Sequence, residues 1–271
     1  MENLSEDIIM LIMKKVGVVD ILLNLQKVCR SWRNICKDPA LWRSIDMHSN
    51  YSYHIITCCS TTRINRTRYV MNDMIKHAID RSCGQLIDIK LEKHFNVDIL
   101  KYLTYRKNQL KRLQIVSCKK VTNKGLSKAT KNMSSLEELH IYFGNITNAG
   151  LKNIGRNCPR LKSLTFDHQG RSIPTAIAKS MPELRHLSLF GNQISNRDLE
   201  AILDGCPHLE SLDLRECFKL DLYGMPLGLR CSSSIKTLLL PNDSIADYQY
   251  GSSINRLYDT DDDDDDYRYV R

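Results

Sequence analysis

Six intervals of nearly constant length divide most of this 271-residue chain into copies of one unit. The pattern leucine-x-x-leucine-x-apolar recurs as Leu110-Leu113-Ile115, Leu136-Leu139-Ile141, Leu161-Leu164-Phe166, Leu184-Leu187-Leu189 and Leu209-Leu212-Leu214. Leu86-Ile89-Leu91 opens the series and Ile235-Leu238-Leu240 closes it in degenerate form. Successive starts lie 24, 26, 25, 23, 25 and 26 residues apart. A unit of that length holds one short strand and one short helix, and its apolar face is buried only by stacking on its neighbours. Residues 86–242 are therefore predicted to form a curved solenoid of about six units plus a degenerate last one.

The second half of the unit repeats as well. Val121-Thr122-Asn123-Lys124-Gly125-Leu126 matches Ile146-Thr147-Asn148-Ala149-Gly150-Leu151 and Ile194-Ser195-Asn196-Arg197-Asp198-Leu199. Thr122, Thr147 and Ser195 are predicted helix N-caps, because a hydroxyl accepts from the orphan amides of a first turn. Behind them Leu126, Ala129 and Met133, Leu151, Ile154 and Cys158, and Leu199, Ile202 and Cys206 fall at helical spacing and form a buried face. Cys83, Cys158 and Cys206 stand three residues before the next leading leucine, where Met133 and Met181 stand elsewhere. Cys118 and Cys217 share the ninth position with Asn192 and Gln169. The cysteines thus read as buried free thiols rather than zinc ligands, since no Cys-x-x-Cys pair exists and Cys58-Cys59 is isolated. The pattern resembles the cysteine-containing subclass of leucine-rich repeats.

The first 47 residues are different. Ser5 is placed to cap a helix whose first turn carries Glu6 and Asp7 and whose stripe is Ile8, Ile9, Ile12, Met13 and Val16, ended by Gly17. Asp20 is expected to cap a second helix presenting Ile21, Leu22, Leu25, Val28, Trp32 and Ile35, stopped by Asp38-Pro39. Leu41-Trp42 begins a short third element. Such a unit is too small to bury its apolar surface alone and needs a partner, the repeats, or both.

Within it, Val28-Cys29-Arg30-Ser31-Trp32-Arg33 and then Asp38-Pro39-Ala40-Leu41-Trp42-Arg43-Ser44-Ile45-Asp46-Met47 resemble the second half of an F-box. With Met181-Pro182-Glu183-Leu184 and Gly205-Cys206-Pro207-His208-Leu209, the chain resembles a plant group of F-box proteins with a few leucine-rich repeats, the type named as Skp-interacting partners. The resemblance runs over about residues 4 to 247. It implies an α/β fold in which a three-helix F-box precedes a short right-handed solenoid, strands concave and helices convex. It further implies a substrate-recognition adaptor of a Skp-cullin-F-box ubiquitin ligase. The adaptor-facing or helix-locking positions would be Leu4, Ile8, Ile9, Ile12, Val28, Cys29, Trp32, Leu41 and Trp42, with Ile12 and Trp32 also candidates for the unit's own core. Partners would be the Skp adaptor, through it cullin and RING subunits, and a protein target. The family usually starts with a tryptophan and a Leu-Pro pair. Here Ser5 follows Leu4, so the first helix loses the preset backbone of proline. The alternative is a repeat scaffold without ligase coupling.

Strand residues alternating with the leucines point to the concave side. Among them Arg112, His140, Tyr142, Asp167, His186, Phe190, Asp213 and Arg215 are the candidate target-binding residues, Tyr142, Phe190 and Arg215 foremost because aromatic and arginine side chains dominate interface energetics. A merely solvated concave face is the plainer alternative. No phosphate loop, nucleophile elbow or His-Glu-x-x-His motif occurs, so no catalysis and no cofactor is expected.

Charge is unevenly placed. Residues 48–135 carry 17 Lys/Arg against 5 Asp/Glu, and residues 243–271 carry 3 against 9. The basic residues are dispersed and match no nucleic-acid motif, so a solvated basic face or an acidic protein target is the preferred reading. Residues 48–85 are expected to be a helical linker or cap, and 243–271 an acidic disordered tail; a second reading has the run ending at Asp266 fold back on the basic stretch. An acidic start and short apolar runs predict neither signal peptide nor membrane span, hence a nuclear or cytoplasmic chain with free thiols.

Overall fold

The computed structural model describes residues 5–47, 62–93, 95–106, 109–167 and 175–250. Leu4, Cys58, Cys59, Gln169 and the aspartate run to Asp266 lie outside the described residues. Among the described residues, eight parallel strands stand side by side in chain order: β1 (Ser44–Asp46), β2 (Asp88–Glu92), β3 (Arg112–Val116), β4 (Glu138–Tyr142), β5 (Ser163–Asp167), β6 (His186–Ser188), β7 (Ser211–Asp213) and β8 (Thr237–Leu239). Their register is fixed by the leucine frame, so that Ile89, Leu113, Leu139, Leu164, Leu187, Leu212 and Leu238 are successive partners. A slip of one residue would turn every one of them to water, which is why a two-residue periodicity specifies register so tightly.

Backbone bonds at both strand ends lock one unit to the next. On the near side a single carbonyl accepts two amides of the following unit: Lys111 O takes Glu137 N and Glu138 N, and Lys162 O takes Arg185 N and His186 N. On the far side the chain turns through a left-handed residue at the eighth position of the unit, Lys93, Ser117, Phe143, Gly191 and Glu216. Only Gly191 adopts that conformation without strain. The turn aims each of these amides at the next unit, for example Ser117 N to Tyr142 O at 2.8 Å and Glu216 N to Pro241 O at 3.0 Å.

Among the described residues, the other face is covered by the helices α5 (Val97–Tyr105), α6 (Asn123–Thr130), α7 (Asn148–Asn157), α8 (Thr175–Ser180), α9 (Asn196–Gly205) and α10 (Pro226–Ser234). Thr122 and Ser195 cap as expected, Ser195 in a reciprocal pair with Asp198. Thr147 does not cap with its side chain. Its hydroxyl accepts from Asn123 Nδ2 at 2.8 Å, while Asn123 Oδ1 accepts Thr147 N at 2.9 Å. Asn196 brackets Asp221 in the same manner, so the repeated asparagine is an inter-unit clasp. The repeated glycine has a steric reason: a Cβ on Gly125 would stand 2.4 Å from Val97 Cγ2. Cys118 and Cys217 are buried, and their thiols donate to Leu91 O and Leu189 O, the service Asn192 Nδ2 performs for Phe166 O. Burial pushes both thiols up to about 12, which makes them poor nucleophiles. Cys83, read from the sequence as part of this buried set, is exposed instead.

The N-terminal unit departs from expectation in two ways. First, α1 (Glu6–Val16) is followed by α2 (Val18–Leu23), a 3₁₀ turn over Leu25–Lys27 and α3 (Arg30–Ile35), where one continuous helix from Asp20 to Ile35 was predicted. The Cys29 sulfur accepts Trp32 N and starts α3 afresh. Second, the boundary at residue 47 is not a break. β1 pairs with β2, and Arg43 O accepts Ile87 N and Asp88 N as other units' carbonyls do. Trp42, Ile45 and Met47 thereby occupy the places of Leu86, Ile89 and Leu91, and all three are buried. The repeat sheet begins inside the F-box-like segment, not at residue 86. Trp42 Nε1 donates to Cys36 O at 2.9 Å, and Arg81, at the end of α4 (Thr62–Arg81), lies over its ring.

Trp42→Ala removes the shared core of both parts. It should destabilise the whole chain by about 3–5 kcal/mol and lower the thermal midpoint of helical unit and repeats together, as followed by circular dichroism; two separate transitions would show that the parts fold apart.

Candidate functional site

Two surfaces stand out. The first is the outer side of the N-terminal unit. Ile9, Met13, Leu41 and Trp42 point inward and form its core, leaving Ile8 45%, Leu11 61%, Ile12 37%, Val16 41% and Val28 61% exposed. Cys29 is exposed next to Val28 in the chain, and Trp32 is half-buried. The adaptor-facing or helix-locking set named from sequence therefore divides: Ile8, Ile12, Val28, Cys29 and Trp32 remain available to a partner, whereas Ile9, Leu41 and Trp42 lock the unit. Leu11 and Val16 join the exposed group. Ser5 Oγ accepts Ile8 N at 3.4 Å, so α1 has a cap where the family pattern places proline. Five large apolar side chains exposed on one small helical unit make this side a candidate interaction face.

The second surface is concave. The alternation predicted from sequence holds along the strands, and Val116, Tyr142 and Asp167 are partners in one row. Arg112 makes a bidentate pair with Glu138, and His140 lies between Glu138 and Thr165. Burial holds His140 below its ordinary value, so it is a neutral hydrogen-bonding ring. His186 is exposed at the start of β6, between Ser163 and Ser211. Tyr142, Asp167, Phe190, Asp213 and Arg215 form a separate cluster at the far ends of the strands.

That cluster is covered, and by a segment that the sequence reading assigned to a disordered tail. After β8, residues 243–250 turn back and cross the concave face. Tyr248 stacks on Phe190 with ring centroids 3.8 Å apart and planes at 8°. Its hydroxyl donates to Asp167 Oδ2. Tyr250 packs on Tyr142 at 4.6 Å, and its hydroxyl accepts from Gln114 Nε2 at 2.7 Å. Arg215 holds Asp213 on its own strand and reaches both Asp247 and Ser244 O on the returning segment. Phe190, Asp167 and Arg215 are consequently buried rather than open on the surface. The signal that could have found this segment is the pair Tyr248 and Tyr250, which a purely solvated acidic tail does not need.

Asp167 is the electrostatic centre of the contact. It is fully buried and its Oδ1 has no hydrogen-bond partner. Burial, with Asp213 nearby, pushes its carboxyl up to about 7, against the opposing bond from Tyr248. Among the described residues no group of three or more His, Cys, Asp or Glu could hold a metal ion, and no helix is long and apolar enough to cross a membrane.

Because the folded state raises this carboxyl, it binds the proton more tightly than the unfolded chain does. Its contribution is full below about pH 4 and is lost as pH rises through about 7, amounting to at most about 4 kcal/mol. Asp167→Asn should therefore flatten the fall in thermal midpoint between pH 5 and pH 8 and stabilise the chain at pH 8; an unchanged slope would mean that Asp167 is ionised throughout.

Comparison with known proteins finds matches for both the N-terminal unit and the repeats. The F-box domain family matches residues 1–44, and the repeats of FBD-associated F-box protein At5g56370 match residues 169–247. F-box protein SKIP19 of Arabidopsis thaliana is 37% identical over 246 residues, 89% of this chain and 77% of that protein. Putative F-box/LRR-repeat protein 23 of the same plant is 38% identical over 242 residues, 86% of this chain but only 51% of that protein. In fold, the chain is similar to a protein in the crystal structure of Rad7 and Elc1 complex in yeast, with a TM-score of 0.53, 18% identity, and coverage of 85% of this chain and 58% of that one. With an F-box followed by stacked leucine-rich repeats and relatives of this likeness over most of its length, the chain belongs to the plant F-box/leucine-rich-repeat family.

Proposed function

We propose that the chain is a non-catalytic substrate-recognition subunit of a Skp-cullin-F-box ubiquitin ligase. In this reading the outer side of α1 and the Val28–Cys29 corner bind the Skp adaptor, which brings cullin and RING subunits. The concave side of the repeats holds a protein target in reach of the ubiquitin-loaded enzyme. The observation that carries the reading is the exposed apolar group Ile8, Leu11, Ile12, Val16 and Val28 on a unit whose core is already filled by Ile9, Met13, Leu41 and Trp42. Such a face is costly in water and gains when a partner covers it. The general adaptor role of F-box proteins points the same way. The cap that Ser5 gives the first helix supports this reading over a scaffold without ligase coupling.

The continuous sheet adds a mechanical argument. With β1 paired to β2, a target on the concave face keeps a fixed position relative to the adaptor-binding side. Presentation of a target lysine depends on such geometry more than on affinity.

Because Trp42 is core, exposed positions give the sharper test. Ile12→Asp with Val28→Asp should abolish co-purification with a Skp adaptor, at least a tenfold loss, while leaving the thermal midpoint within a few degrees. Unchanged binding by this folded double variant would refute the assignment of the face.

A further inference from the structure

The returning segment is held almost wholly by side chains. Of its contacts with the concave face, the backbone supplies Ser244 O to Arg215 Nη1 at 2.9 Å. Everything else is a side-chain feature that can be read in order: an acid at 247 on Arg215, a tyrosine at 248 on Phe190 and Asp167, a tyrosine at 250 on Tyr142 and Gln114. Phe143 stands edge-on to the second ring, and Lys90 Nζ lies 5.8 Å from its centre. The receiving side is built for these groups. Phe190 and Arg215 are nearly fully buried, and Asp167 keeps an unpartnered oxygen beside the phenol it accepts. Two rings, one charge pair and two phenol hydroxyls, each matched, are what peptide-recognition grooves use for specificity.

We propose that the concave face recognises extended segments of the form acid-tyrosine-x-tyrosine, and that residues 243–250 occupy it as an internal ligand which a target displaces. The proposal rests on the reading of this face as the target site and names what that target presents. The internal ligand is tethered at Pro241, close to the face, so its effective concentration is in the millimolar range for a short connection. A weak contact therefore closes the groove, and a target in trans competes only if it matches the same three features or adds others. The first tyrosine must be unmodified. A phosphate there would bring two negative charges against the Asp167 carboxylate and remove the donated proton.

The test uses the full chain, a fluorescent peptide of residues 243–250, and the same peptide phosphorylated on Tyr248. Tyr248→Ala with Tyr250→Ala in the chain opens the groove. The peptide should bind this variant at least tenfold more tightly than it binds wild type. Adding Phe190→Ala should remove the gain, and the phosphopeptide should bind at least tenfold more weakly. Equal binding to wild type and opened chain would overturn the proposal, as would no binding to either. Asp247→Lys, which keeps both rings, serves as a second opened chain should the first fail to fold. In wild type, excess peptide should raise amide hydrogen exchange over 243–250, and unchanged exchange with bound peptide would place the peptide elsewhere. Skp-adaptor binding measured on the same preparations separates the two readings. A chain that binds adaptor but not peptide refutes this proposal alone; one that binds peptide but not adaptor supports it and refutes ligase coupling.

Discussion

Everything in this molecule hangs on the parallel backbone ladder that joins one unit to the next. A single unit has three or four core leucines and cannot exclude water from them; the ladder brings the next set into register and completes the core. The ladder is closed at both ends of each strand, by carbonyls that take two amides and by left-handed turns that aim one more amide forward. Four of the five described residues in that turn are not glycine, so each carries backbone strain of order 1–2 kcal/mol that the forward hydrogen bond and the surrounding packing must offset. The turn is also what swings Phe143, Gly191 and Glu216 past the strand ends and so shapes the far rim of the concave face.

The same ladder explains how a helical unit of under fifty residues is stable. Its own core is small, but Trp42, Ile45 and Met47 continue the leucine rows, and Arg43 supplies the bridging carbonyl. The unit therefore borrows the edge of the sheet. The first strand of the sheet is only three residues long, Ser44–Asp46, and short edge strands limit pairing with another chain. Fold stability and placement of the proposed adaptor face thus have one physical origin.

Much of this was legible in the sequence, and the parts that were not share a cause. The strand frame from Leu86 to Leu240 follows from periodicity, and the caps at Thr122 and Ser195 follow from residue type. Trp42 was read only as part of the F-box-like motif because 44 residues separate it from Leu86, far from the regular interval. Asn123 and Asn196 were passed over because their partners lie in the next unit, which no local propensity encodes. The break between α2 and α3 needed the Cys29 cap, and cysteine is not among the usual N-cap residues. On the concave side the alternation identified Tyr142, Asp167, Phe190 and Arg215. That they are covered depended on contacts between residues as far apart as Gln114 and Tyr250, 136 positions in sequence.

The returning segment also changes what the concave chemistry means. A buried carboxylate with one orphaned oxygen and an arginine nearly sealed from water are costly if their only purpose is structural, because an apolar face would pack as well with fewer unsatisfied groups. Departure of the segment would relieve that cost, since Asp167 would hydrate and ionise freely, but would expose Phe190 and Tyr142 to water. The charged groups lower the free energy of the open state and the aromatic rings raise it. In a face composed of both, the two contributions oppose each other, which they would not in a wholly apolar strip. In such a face the identity of the covering segment, and not burial alone, decides whether it stays.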